Sequence, residues 1–212
     1  MTLTIVGRSS SHFTRVARMF AVVLGVVCGF EPVADLGSRA LSDYAGNPAL
    51  KIPVLQTPDG PWFGAINVCR ELARRASNAP KILWPEQLVD RAAANAQELV
   101  LQAMSTEVTL IMQAPTQPGG AIATSGKAYE SLVNSLVWLD ENLSAIRAKI
   151  SSCEVVSLLD LTAYCFVTHL EFRQVTDVSP YRALQSFCVE FGQRPSAQAT
   201  TYFYDNQMKP VA

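Results

Sequence analysis

The chain has 212 residues, 49% of them apolar and 17% charged, which fits one large or two small globular domains and excludes a disordered chain. Its formal net charge of −1 argues against a nucleic-acid partner or an anionic membrane surface held by bulk charge. Five scattered cysteines, Cys28, Cys69, Cys153, Cys165 and Cys188, form no CxxC pair; with two histidines they predict no metal site, and they read as small core residues in a reduced, cytoplasmic setting.

"LTIVG" (3–7) is a short apolar strand, and the polar turn "RSSSH" follows it. From Phe13 the apolar residues fall at Val16, Ala17, Phe20, Ala21 and Leu24, which is helical spacing, with a serine in front as cap. Arg15 and Arg18 precede "MFAVVLGVVCGF", which imitates the basic and apolar parts of a signal peptide. The stretch is shorter than the roughly 20 residues of a spanning helix, so it reads as a buried helix running into a second strand, "CGFEPVA", and no membrane partner is expected. Residues 36–49 carry Gly37, Gly46, Asn47 and Pro48 and read as loop with one helical turn. "KIPVLQ" is a strand, "TPDG" a turn and "PWF" the returning strand of a hairpin. A helix, "AINVCRELARRA", follows it, with Val68, Cys69 and Leu72 on its inner face.

The character changes at "SNAPKILWP", after which no further strand pair is expected. Residues 86–113 read as one long helix, and 127–150 as another with Leu132, Leu136, Leu139, Leu143 and Ile146 in its stripe. Residues 156–172 are apolar nearly all round, the mark of a helix inside a bundle. The expected organisation is an α/β domain over 1–76, a linker over 77–85 and an all-helical domain over 86–212.

Four local patterns, in this order, resemble those of the cytosolic glutathione transferases. "SSSHFTRVAR" is similar to the S-x-F-x-R-x-x-R opening of the first helix in bacterial members. "LKIPVLQTPDG" resembles their proline-bearing third strand, "SLLD" (157–160) the capping box of their sixth helix, and "QRPSAQAT" (193–200) their closing segment. The resemblance spans essentially the whole chain. It implies a thioredoxin-like N-terminal domain, an all-helical C-terminal domain and a homodimer. It further implies a role in detoxification, with glutathione as co-substrate against a small hydrophobic electrophile.

It also explains a proline inside a strand. Proline cannot donate to a ladder. In this family the proline is cis, and the main chain of the residue before it pairs with the cysteinyl part of glutathione like an added strand. Ile52 and Pro53 hold those places here; the alternative is a proline on an edge strand with no ligand. The thiol needs a donor that favours its anion, because its ordinary pKa is about 8.5. Ser11, just before Phe13, is the best match for that hydroxyl, with Ser9 and Ser10 as rivals; Ser11 could instead only cap the helix. His12 beside it could contribute to the site or be a lone surface histidine.

Gly64 and Ala65 fall where family members carry an acidic residue or glutamine, then serine, to hold the γ-glutamyl end. Both side chains are missing here. Two lost hydrogen bonds to charged groups amount to roughly 3–6 kcal/mol. Ala65 still offers a main-chain N–H at a helix start. A second, apolar site is expected between the domains, with Leu99, Met104, Val108 and Met112 as candidates that could equally be core. The two readings are therefore a glutathione-using transferase and a non-catalytic binding or scaffold protein on the same fold.

Overall fold

A computed structural model of the chain describes residues 2–114, 122–150 and 155–205. Its contacts form two units: Met1–Ala79 with Gln193–Ala212, and Pro80–Gly192.

The first unit is built on a four-stranded sheet in the order β2-β1-β3-β4. β1 (Thr4–Gly7) leads through the serine turn into α1 (His12–Leu24), and β2 (Gly29–Pro32) returns parallel to β1 with Thr4 opposite Gly29. β3 (Val54–Thr57) and β4 (Gly60–Phe63) form the expected hairpin, and α2 (Ala65–Arg75) closes the α/β part. α1 starts where Ser11 caps it and stops at Gly25, whose φ of 64° lets its N–H reach the carbonyls of Ala21 and Val22. The stripe Val16, Ala17, Phe20 and Leu24 is buried, as are Val68, Cys69 and Leu72 of α2, and the two helices pack on each other. A cluster of Val6, Val33, Tyr44 and Val54 forms a second patch of core, with Leu50, Ile52 and Phe63 against it.

One expected strand is shorter than its sequence suggests. "KIPVLQ" enters the ladder only at Val54, since Pro53 has no N–H to give, and Ile52 is left outside the pairing. The segment from Gln193, with the short helix α7 (Pro195–Gln198), belongs to this unit and packs on α1.

The second unit holds α3 (Arg91–Gln113), α4 (Lys127–Ile150), α5 (Leu158–Arg173) and α6 (Arg182–Gly192). It also holds a strand pair that the sequence did not suggest: β5 (Lys81–Leu83) lies parallel to β6 (Val155–Ser157). Three-residue strands are too short to show a period of two. α3 begins at Arg91 and not at Glu86, because Asp90 takes the N–H groups of Ala92 and Ala93 at 3.0 and 3.1 Å. α5 is buried on nearly every side, as its composition predicts. Ser157 caps it through the Asp160 N–H at 3.3 Å, and the Asp160 carboxylate is reached by Arg147 of α4 at 3.3 Å. Among the described residues no helix is long and apolar enough to cross a membrane.

Cys69 and Cys165 are buried, while Cys28 and Cys188 are half-buried; Cys153 lies outside the described residues.

Candidate functional site

The register of the sheet brings three separate stretches to one end of it. Val6 pairs with Val54, and Val54 with Phe63. The serine turn leaves β1 just after Gly7, Ile52 and Pro53 enter β3 just before Val54, and the Gly64–Ala65 corner leaves β4 just after Phe63. All three emerge together on the edge of the same unit.

The serine turn is held by short polar contacts. Ser11 is half-buried, and its Oγ accepts the Thr14 N–H at 3.3 Å as a helix cap. Capping uses an oxygen lone pair and leaves the hydroxyl hydrogen to be donated elsewhere, so the two roles expected to compete for Ser11 are compatible. Ser9 is buried; its Oγ accepts from Arg18 Nη1 at 3.2 Å, and its N–H donates to Asp205 Oδ2 at 3.0 Å. Ser10 is also buried. The main chain approaches α1 closely at Gly7, where an added Cβ would lie 2.5 Å from the Thr14 side chain. Arg8 ties the turn to the end of β2 through its Nε, 2.7 Å from the Val33 carbonyl oxygen, and through the Ala34 carbonyl.

His12 departs from expectation. It is 1% exposed, tilted against the Phe13 ring at 4.6 Å, and is therefore an interior group and not a surface one. It stands on the inward face of the first turn of α1, one residue from the half-buried Ser11 and Phe13.

The loop before β3 is shaped by Asn47, which is buried. Its Nδ2 donates to the Lys51 carbonyl at 2.7 Å and its Oδ1 accepts the Ala49 N–H at 3.0 Å. The chain then passes through Ile52, whose side chain packs on the Tyr44 cluster. The Ile52–Pro53 peptide bond is cis. Among the described residues, neither the N–H nor the C=O of Ile52 has a hydrogen-bond partner. A partly buried side chain with an unpaired main chain beside it is the shape of a sheet edge prepared for one more strand.

The start of α2 is the third element. The Gly64 N–H donates to the Pro53 carbonyl at 3.1 Å, and Gly64 has φ 82° and ψ 148°, a region open almost only to glycine. No side chain caps the helix and no acidic residue lies in its first turn. The N–H groups of Ala65, Ile66 and Asn67 have no partner among the described residues. A helix start with three open donors favours an anion.

The sheet edge, the open helix start and the serine turn thus lie at one end of the same sheet. Comparison with solved structures agrees in fold. The chain superposes on a glutathione S-transferase of Methylobacillus flagellatus solved with glutathione bound, with a TM-score of 0.71 over 95% of this chain and 100% of that one, at 21% identity. The chain has the glutathione S-transferase fold. A glutathione transferase family member of Pseudomonas fluorescens with bound glutathione gives a TM-score of 0.74 at 17% identity, again covering 95% and 100%. The Tau class enzyme of mango gives 0.64 at 18% identity, covering 97% and 94%. No protein-family model and no curated protein matches the sequence.

Within this fold the apolar candidates on α3 separate. Met104 is fully buried in the helical unit and is core, whereas Val108 and Met112 are 39% and 63% exposed. Leu99 is half-buried and lines a groove with Lys127, Ser131 and Trp138 of α4. Sequence reasoning missed three residues that shape the site: Asn47, Arg18 and Asp205. Asn47 and Arg18 had local signals, an Asn-Pro loop and the R-x-x-R pattern. Asp205 had none.

Proposed function

We propose that the chain is a cytoplasmic member of the cytosolic glutathione transferase family that binds glutathione and uses its thiolate against a small hydrophobic electrophile. The observation that carries this reading is the unpaired main chain of Ile52, flanked by open N–H groups at the start of α2. The cysteinyl backbone would pair with Ile52, and the γ-glutamyl carboxylate would take the Ala65 N–H. Ser11 keeps a hydrogen to donate toward the sulfur, which favours the thiolate over the thiol. A homodimer is part of the same reading.

The Gly64–Ala65 pair favours a second reading, a binding or scaffold protein with a weakened tripeptide site. Gly64 is held in a glycine conformation and Ala65 has no hydroxyl, so the carboxylate meets main-chain donors alone. The two readings part in a calorimetric titration with glutathione followed by a conjugation assay with 1-chloro-2,4-dinitrobenzene. Saturable heat and turnover lost in Ser11→Ala support the transferase. No heat at millimolar glutathione, or heat without turnover, supports the scaffold.

A further inference from the structure

The last described residues return to the serine turn. Two arginines on one face of α1, Arg15 and Arg18, receive them. Arg15 is buried; its Nη2 donates to the Ala197 carbonyl at 3.2 Å, and its guanidinium lies 4.2 Å from the centre of the Tyr202 ring. Ser196, Ala197 and Thr200 are buried, with Thr200 Oγ1 donating to the Ser196 carbonyl at 2.7 Å. The segment is thus pinned as far as Tyr202. Phe203, Tyr204 and Asp205, like Tyr202, are half-buried.

Asp205 sits where the turn offers its donors. The Ser9 N–H reaches its Oδ2, and Arg18, whose Nη1 holds Ser9 Oγ, lies within electrostatic reach of the same carboxylate. Arg18 itself is braced over the Phe30 ring at 4.5 Å. Burial pulls the Arg18 proton affinity down and the Asp205 charge opposes this, so the cation gains from a carboxylate neighbour. α1 has no acidic residue in its first turn to fill that need.

We propose that the serine turn carries a carboxylate-binding subsite, made by the Ser9 N–H with the Arg18 charge nearby, and that the chain's own Asp205 fills it as a displaceable plug. The pinned part, 195–202, keeps the plug at high local concentration, and a carboxylate held through Oδ2 by a main-chain N–H can be exchanged for another. An anionic group arriving at the turn competes with Asp205. The inference rests on the glutathione reading only in naming the thiolate as one such competitor.

The test uses the full-length chain, isotope-labelled, as wild type, Asp205→Ala and Asp205→Asn. Each is titrated with acetate at constant ionic strength while the Ser9 amide is followed by NMR. Both variants are expected to give a saturable shift of Ser9. The wild type is expected to respond at least about ten-fold more weakly, because an intramolecular carboxylate competes at high effective concentration. Acetamide, the neutral analogue, is expected to give no shift. A Ser9 amide that ignores acetate in the variants, or that responds equally in the wild type, overturns the proposal. Asp205→Asn keeps the shape of the side chain, so the comparison survives if Asp205→Ala unfolds. Glutathione is absent from the experiment, so its outcome is independent of whether the tripeptide binds.

Discussion

The Gly64 N–H donates to the carbonyl oxygen of Pro53 at 3.1 Å, so the corner that opens α2 is tied to the residue that ends the unpaired stretch at Ile52. This bond joins the two parts of the candidate site: a sheet edge that can take a strand and a helix start that can take an anion. It also explains why Gly64 cannot be exchanged freely, since its conformation serves both.

Restoring the family's hydroxyl is the first prediction. Ala65→Ser adds one hydrogen bond to a carboxylate, about 1.5–3 kcal/mol, and should tighten glutathione by about 10- to 100-fold in calorimetry with little change in Tm. Gly64→Gln should behave differently. Its Cβ meets no atom within 4 Å, but its φ of 82° suits side chains poorly, and the strain of about 1–3 kcal/mol should lower Tm.

The serine turn gives the second. Ser11→Ala removes the donor offered to the sulfur and also a helix cap. The bound thiol's pKa, read from its thiolate absorbance, should rise by about one unit or more. Stability should fall by about 1 kcal/mol from the lost cap. An unmoved thiol pKa with a lowered Tm would leave Ser11 as a cap alone.

The third concerns folding. Asp160 is 3% exposed; its N–H caps onto Ser157 and its carboxylate faces Arg147, which also reaches Glu190. Asp160→Ala should cost at least about 1–2 kcal/mol in denaturant unfolding. Glu190→Ala removes from Arg147 a carboxylate that is 66% exposed and should cost less than Asp160→Ala.

A buried pair in the helical unit sets a pH dependence. Glu107 is fully buried, with its Oε1 2.6 Å from His169 Nδ1. Burial pushes the Glu107 carboxyl up, against the opposing pull of His169 and Arg173. A carboxyl that holds its proton more tightly folded than unfolded adds stability at low pH, and that stability is lost as pH rises through the raised value. Glu107→Gln is neutral throughout. Its Tm should therefore gain on the wild type as pH rises from about 4.5, the ordinary glutamate range, toward neutrality. A constant difference across that range would count against this account.

Much of the fold was legible because it rests on period and punctuation. The apolar stripe from Leu132 to Ile146 outlines α4, whose bounds agree with the sequence pattern, and "TPDG" marks the β3–β4 turn. The start of α3 was missed although Asp90 is a good cap; the apolar pattern of "QLVD" extended the helix backwards across Pro85–Gln87, which is a 3₁₀ turn. β5 and β6 gain their pairing from a partner some seventy residues away and carry no local signal. At the site, the serine turn, the proline and the Gly64–Ala65 corner are all readable one by one. What joins them is the register of Val6, Val54 and Phe63, which is tertiary. The burial of His12 and the approach of Asp205 to Ser9, 196 residues away in the chain, depend on packing that no window of sequence contains.

The most direct test of the site follows the main-chain amide of Ile52 by NMR while glutathione is added to the full-length chain. If the tripeptide lies down as an extra strand, the Ile52 amide gains a hydrogen bond: its resonance moves downfield, its exchange with solvent slows, and both effects saturate together with the Ala65 amide. If glutathione binds while the Ile52 amide stays where it is and exchanges as before, the strand-like pairing at the heart of this account is wrong.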